Sequence, residues 1–308
     1  MNSQHRQLEY GLRFDWGRAG AEAIATGVDL AIVVDVLSFT TTLSVAADAG
    51  IDVFPYSWYD ESAADYARDV DAVLAVRRSV ASEGQISLSP KSIRDSERPG
   101  RLVLPSPNGS TIAFALAAIV PVCVGASLRN ASAVADWVVH EHGSRSRVAI
   151  VASGEKWPGG ELRPAVEDLW GAGAVVAALT AAGWDGHVSP EARMAADAWT
   201  AVSDSYEDRL RDCASGRELI VLGFPHDERP AEHVDEQQQE DDRHPDQHHR
   251  HRRISHDVAN AAAQHGFRVL VGKRHGGHRA SVLSVAVSVR NTSSRSGVWT
   301  ESSLTSIE

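Results

Sequence analysis

The chain has 308 residues, enough for one large domain or two small ones, with 43% hydrophobic and 23% charged side chains, so neither disorder nor membrane residence is the default. Its formal charge of -11, from 41 acidic against 30 basic side chains, argues against a coat for nucleic acid, which needs a basic face. A small anionic substrate stays open, because a metal and a few donors reverse the potential inside one cleft. Cys123 and Cys213 are the two cysteines, and their spacing suggests neither a metal knuckle nor a redox pair. Residues 1–18 lack the apolar segment of a signal peptide, and no run of about 18 apolar residues occurs. A cytoplasmic location is expected, with no membrane or nucleic-acid partner, and a homodimer is left open.

Along the chain, Asp29–Leu37 is a continuous β-branched run that predicts a strand buried on both faces. Ser38–Ala49 has helical spacing and stops at Gly50; Ile51–Tyr56 reads as a strand, Glu61–Arg68 as a short helix and Ala72–Val76 as a strand. Gln85–Gly100 is polar and broken by Pro90 and Pro99, the pattern of a long loop. Leu102–Leu104 predicts a strand and Thr111–Ile119 a helix, followed by strand Val120–Gly125 and helix Asn130–Glu141. Strand Val148–Ala152 leads into a loop over 153–164, then an Ala-rich helix over Ala165–Ala182 and a last strand over Leu219–Gly223. Alternation of this kind predicts an α/β fold, layered α/β/α around a mixed or parallel sheet. Four polar turns, at 35–38, 106–110, 127–130 and 153–160, follow the carboxyl ends of strands, where open α/β sheets bind ligands.

Composition changes abruptly after Pro225, and ten of the 14 histidines lie beyond Phe224. The domain is therefore placed at 1–225, with 226–308 as an atypical His/Arg/Gln-rich tail. That tail reads as a solvated extension, a metal-binding histidine tract or the product of a shifted reading frame. The last is preferred, because a fold ending near Phe224 lacks closing elements. Ala280–Val289 has the alternation of a strand.

Asp35 stands where the buried strand opens into a helix. A carboxylate there either binds Mg²⁺ through oxygen or caps the helix. Ser38, Thr40 and Thr41 offer hydroxyls and helix N-terminal amides to an anion. Pro107-Asn108-Gly109-Ser110 is a tight turn, whose Asn108 side chain and Gly109 and Ser110 amides either cradle an oxyanion or simply turn the chain. Arg129, with Asn130 beside it, is either a bidentate clamp for phosphate or a surface residue at a helix start. Glu167 and Asp168 open the Ala-rich helix, where acids also suit the dipole. Adjacent helical residues point about 100° apart, so one of the pair is expected to face a site as metal ligand or general acid/base. Glu155 is a further acid/base candidate, and Gly171 and Gly173 would let a neighbouring backbone come close. Walker, GxGxxG, GxSxG and HExxH motifs are absent, as is the Asp-x-Asp signature of aspartyl-phosphate phosphatases.

Taken in order, Trp16-Gly17…Gly20, VVDVLSFTTT (33–42), SPNGS (106–110), ASLRN (126–130), SGEKW (153–157), LRPAVEDLWGAGAV (162–175) and GRELIVLGF (216–224) resemble the 2-phosphosulfolactate phosphatase (ComB-like) family over residues 10 to 225. The resemblance implies a ComB-like α/β fold and Mg²⁺-dependent hydrolysis of a small phosphorylated hydroxy acid, foremost 2-phosphosulfolactate to 3-sulfolactate and phosphate on the route to coenzyme M. It places Asp35, Asn108, Arg129, Glu155, Glu167 and Asp168 around metal and phosphate. Within that set Asp35 and Asp168 are the metal ligands expected here, and a metal-activated water the expected nucleophile. Two departures stand out: Ser38-Phe39 replaces the Arg-Ala of many members, and residues after 225 do not follow the family pattern. The alternative is a non-catalytic binding protein for a phosphorylated or sulfonated metabolite.

Overall fold

The computed structural model describes residues 3–57, 61–225 and 227. Its elements are β1 (Leu12–Trp16), α1 (Gly17–Ile24), β2 (Leu30–Val34), α2 (Phe39–Asp48), β3 (Asp52–Tyr56), α3 (Glu61–Asp69), β4 (Val73–Leu74), α4 (Pro90–Arg94), β5 (Arg101–Pro105), α5 (Gly109–Ala117) and β6 (Cys123–Ala126). These are followed by α6 (Ala131–His142), β7 (Val148–Ala152), β8 (Glu155–Lys156), β9 (Leu162–Arg163), α7 (Val166–Ala181), α8 (Pro190–Thr200), α9 (Tyr206–Asp212) and α10 (Ala214–Val221).

Two parallel sheets carry the fold. One has the order β1-β7-β2-β6 and the other β3-β5-β4, while β8 and β9 form a small antiparallel hairpin. β2 lies inside the first sheet, with Ile32 opposite Val124 on one side and Ile150 on the other. All five of its residues are buried, as its β-branched run demands. The period of two then sorts the side chains between cores. Leu30, Ile32 and Val34 join Trp137, Val138, Val175 and Leu179 of α6 and α7, and Ala31 and Val33 join Leu43 of α2 and Ile112 and Leu116 of α5. That second core continues into Val53, Leu102 and Leu104 of the second sheet. Beyond it, Phe54 and Val103 pack on Ala67 of α3. The layers are thus α6–α8, first sheet, α1/α2/α5, second sheet, α3. Each fully buried Leu, Ile or Val contributes roughly 1.5–3 kcal/mol relative to exposure.

The layered α/β/α expectation holds, with its strands divided between two sheets. Residues 12–24, unassigned from sequence, form edge strand β1 and helix α1. Arg13 in β1 is buried because its guanidinium donates to the carbonyls of Tyr10, Ile24 and Thr26, a use of charge that no local pattern announces. Leu219–Gly223, expected as a strand, is instead the end of α10 and the turn after it. The Cys213 Sγ accepts from the Gly216 amide and caps that helix, and one short apolar run has no period long enough to tell helix from strand. The expected loop over 85–100 contains α4, and the loop after β7 contains the β8–β9 hairpin. Both cysteines are free and buried. No helix among the described residues is long and apolar enough to cross a membrane. The tail beyond 227 and the alternation at Ala280–Val289 lie outside the described residues, and side-chain contacts with the body run as far as Asp227.

α7 and α8 approach closely at Gly173, where an added Cβ would stand 2.0 Å from the Ala195 carbonyl oxygen. Backbone cannot yield as a side chain does, so Gly173→Ala is expected to destabilise by about 3 kcal/mol. Urea unfolding checks this: the midpoint falls while the slope m holds.

Candidate active site

Four acids meet at the carboxyl edge of the first sheet. Asp35 follows β2, Glu155 stands on β8 just after β7, and Glu167 and Asp168 open α7. Asp35, Glu167 and Asp168 are 6%, 2% and 4% exposed. Each arrives by a distinct local device. Asp35 turns the chain into α2: its Oδ1 accepts from the Phe39 amide at 3.1 Å, and Thr40 Oγ1 donates to the Asp35 carbonyl at 2.7 Å. The Leu37–Ser38 peptide within this turn is cis. Asp35 Oδ2 accepts from the Gly109 amide at 2.9 Å, which brings the first turn of α5 against it. Only glycine fits there, since a Cβ would lie 2.6 Å from that carboxylate oxygen and 2.4 Å from the Phe39 ring.

Asp168 joins two other turns. Its Oδ1 accepts from the Val36 amide at 2.7 Å and its Oδ2 from the Gly154 amide at 2.9 Å. Glu155 Oε2 accepts from Asn108 Nδ2 at 2.8 Å, so the Asn108 turn steadies an acid. Glu167 lies against Cys213, whose thiol burial and that carboxylate push up to about 12. Both Glu167 and Asp168 reach the cluster, contrary to the expectation that one would. The site lies off the end of α7, where the angle around the helix axis no longer separates neighbours.

The electrostatics follow from this crowding. Burial pushes the Asp35 carboxyl up to about 6, against the pull of the Phe39 and Gly109 amides and of Arg78, and with a further push from Glu167. Glu155 rises to about 7, first by burial and then by the charge of Asp35. Asp168 is held well above the usual carboxylate range by burial, Asp35 and Glu167. Negative charge is thus concentrated where neutral amides satisfy the oxygens without cancelling it.

The other predicted binders have different employment. Phe39 and Thr40 amides serve Asp35 and its carbonyl, Thr41 Oγ1 donates to the Val36 carbonyl, and Ser110 Oγ donates to the Leu104 carbonyl. Asn130 closes its own turn, accepting from the Ser127 amide and donating to the Gly125 carbonyl. Arg129 is placed against α2: its guanidinium pairs with Asp48 at the far end of that helix and lies near Ser44. Two cations act on the cluster: Arg163 on Glu155, and on Asp35 a residue of an unremarkable Val-Arg-Arg-Ser stretch, Arg78. Its Nη2 donates to Ser38 Oγ and to the Leu88 carbonyl. A positive charge thus stands beside the position where the family resemblance led one to expect an arginine.

Asp35 and Glu155 both have folded pKa values above their unfolded ones, so the native state binds protons more tightly. In chelator, the stability they contribute is therefore present in full below about pH 4 and is lost as pH rises through 6–7. Urea titrations from pH 4 to 8, with Glu155→Gln flattening the profile, check the sign; a stability that rises with pH would contradict it.

Comparison with known proteins matches residues 21–237, which include all four acids, to the family model described as 2-phosphosulpholactate phosphatase. A protein of Thermus thermophilus, named "Probable 2-phosphosulfolactate phosphatase", is 33% identical over 199 residues, covering 63% of this chain and 78% of its own. One of a Synechococcus species with the same name is 31% identical over 202 residues, covering 63% and 80%. On a match that spans more than half of its length and all four acid-bearing positions, this chain belongs to the 2-phosphosulfolactate phosphatase family.

Proposed function

We propose that this phosphatase hydrolyses 2-phosphosulfolactate to 3-sulfolactate and phosphate at the four-acid cluster, with Mg²⁺ as its cofactor. The observation that carries the reading is the cluster itself: acids from three turns, raised first by burial and then by one another, with the nearby amides already committed to them. A phosphoryl group cannot enter such a field unless a cation neutralises it. An all-oxygen carboxylate donor set suits hard Mg²⁺, which takes one or two carboxylates and keeps several waters. Among the described residues no group of three or more such side chains is placed to hold a metal ion, so the ion would rest on two carboxylates and water. Asp35 and Asp168 would hold the ion, and bound there it supplies positive charge to the phosphoryl oxygens.

The chain's own residues supply the rest. Asp168 ties the turns after β2 and β7 to α7, so the acids keep their places as charge builds. Glu155, at about 7, is matched to neutral operating pH and is steadied by Asn108. It takes a proton from the water that attacks phosphorus, the ester P–O bond breaks in line, and the proton passes to the leaving alkoxide. Glu167 keeps the field negative on the side facing Cys213 and favours the cation.

Phosphate release measured with and without Mg²⁺ tests this. Wild type is expected to turn over with Mg²⁺ and to stop in chelator. Asp35→Asn and Asp168→Asn should each lose about 100-fold or more in kcat/KM. Asp35→Asn with undiminished, still Mg²⁺-dependent turnover would refute the assignment. Separately, Glu155→Gln should lower kcat by roughly 10²–10⁴ and remove the limb of the pH–rate profile that the Glu155 carboxylate contributes.

A further inference from the structure

Arg78 is the cation at the Asp35 edge of the cluster that the mechanism above does not use. It stands at the start of a one-turn 3-10 segment, Arg78–Val80, its side chain 17% exposed. Four groups from three separate parts of the chain fix the guanidinium. Nη2 is spent on Ser38 and Leu88, Nε faces the Asp227 carboxylate at 3.2 Å, and the Phe224 ring lies 5.8 Å from Cζ. Asp227 is itself buried, at 2% exposure, and accepts from Ser89 Oγ at 2.5 Å; its amide donates to the Phe224 carbonyl at 3.1 Å. Phe224 and Asp227, both beyond α10, thus bear on the same guanidinium. Among the described residues Nη1 has no hydrogen-bond partner, so the guanidinium keeps an N–H edge to offer.

Its position says to what. Ser38 is the residue before α2, three positions after Asp35, so the fixed charge stands at the Asp35 edge of the acid cluster. A phosphoryl group bound at the cluster leaves the remainder of the ester near that edge. The surrounding acids repel any further negative group there, and Arg78 is the feature that reverses this locally. We propose that Arg78 docks a second, carbon-borne oxyanion of the substrate, a carboxylate or a sulfonate, and that Phe224 and Asp227 are the residues that position it. The proposal rests on the phosphatase reading and deepens it: the site selects phosphate esters of acids over esters of neutral alcohols. Losing one charge-assisted contact to a bound anion corresponds to about tenfold or more in affinity.

Three esters on the same three-carbon skeleton separate the sources of the anion. 2-Phosphosulfolactate has both acids, 2-phosphoglycerate the carboxylate alone, and glycerol 2-phosphate neither. In Arg78→Met the kcat/KM preference for 2-phosphosulfolactate over glycerol 2-phosphate is expected to fall about tenfold or more, through KM, with Arg78→Lys recovering part of it. Whether the 2-phosphoglycerate preference falls too tells which acid is docked. Asp227→Asn should raise KM for the diacid in the same sense, more weakly, with kcat little changed. Equal losses on all three esters would overturn the proposal, because they would mark Arg78 as a structural or phosphoryl-binding group. Calorimetry with 3-sulfolactate, which has both acids and no phosphoryl group, runs alongside. If wild type turns over no ester, the phosphatase reading falls, and 3-sulfolactate affinity still decides this one: a tenfold loss in Arg78→Met supports it, and unaltered affinity overturns it.

Discussion

A single buried carboxylate, Asp168, joins three parts of the chain through two backbone amides. Its bond to Val36 spans 132 positions in sequence and its bond to Gly154 spans 14, both shorter than 3.0 Å. Amide donors let an acid be buried with its hydrogen-bonding capacity met while leaving its charge uncompensated. Asp35 repeats the device with the Phe39 and Gly109 amides, and so draws α5, which follows a strand of the second sheet, onto the first. Remove these bonds and the turns have no common point to converge on.

Helix N-termini are usually places where an anionic ligand meets free amides. Here the first-turn amides of α2 and α5 are turned onto Asp35, and the acids of α7 stand where a ligand would otherwise dock. On the proposed reading the fold turns what would be anion sites into a site for a cation, and a phosphate ester becomes a ligand only in the company of positive charge. That charge would come from the proposed ion and from the guanidinium that Phe224 and Asp227 hold beside Ser38. Charge of both signs is thus fixed in place before the substrate arrives, which is how a site avoids reorganising during reaction.

The division into two sheets serves the same end. The first sheet brings the ends of β2 and β7 side by side, and with them Asp35 and the Gly154–Glu155 turn. The second, packed through α2 and α5, delivers the Asn108 turn from β5 to the same place, where Asn108 meets Glu155. The turn after β6 lies next to β2 in the sheet but closes on itself through Asn130, so adjacency alone did not recruit it.

Much of this is legible before any coordinates. The run 29–37 reads as a buried strand from its β-branching, and the structure forms that strand over Leu30–Val34 and turns the chain after it. The helix over 166–181 is equally plain, and the acids at 35, 155, 167 and 168 stand out at strand and helix ends. Short elements escaped: α10 looked like a strand, and β1 and α1 went unread, because a few apolar residues have no resolvable period. The roles of donors escaped for another reason. Arg129 sits in a recognisable motif yet pairs with Asp48, and Arg78 sits in none yet reaches Ser38 across 40 residues. Local sequence determines which backbone conformations and which charges are present. Only the tertiary structure decides which charge meets which amide, because that depends on separations in space that chain position does not encode.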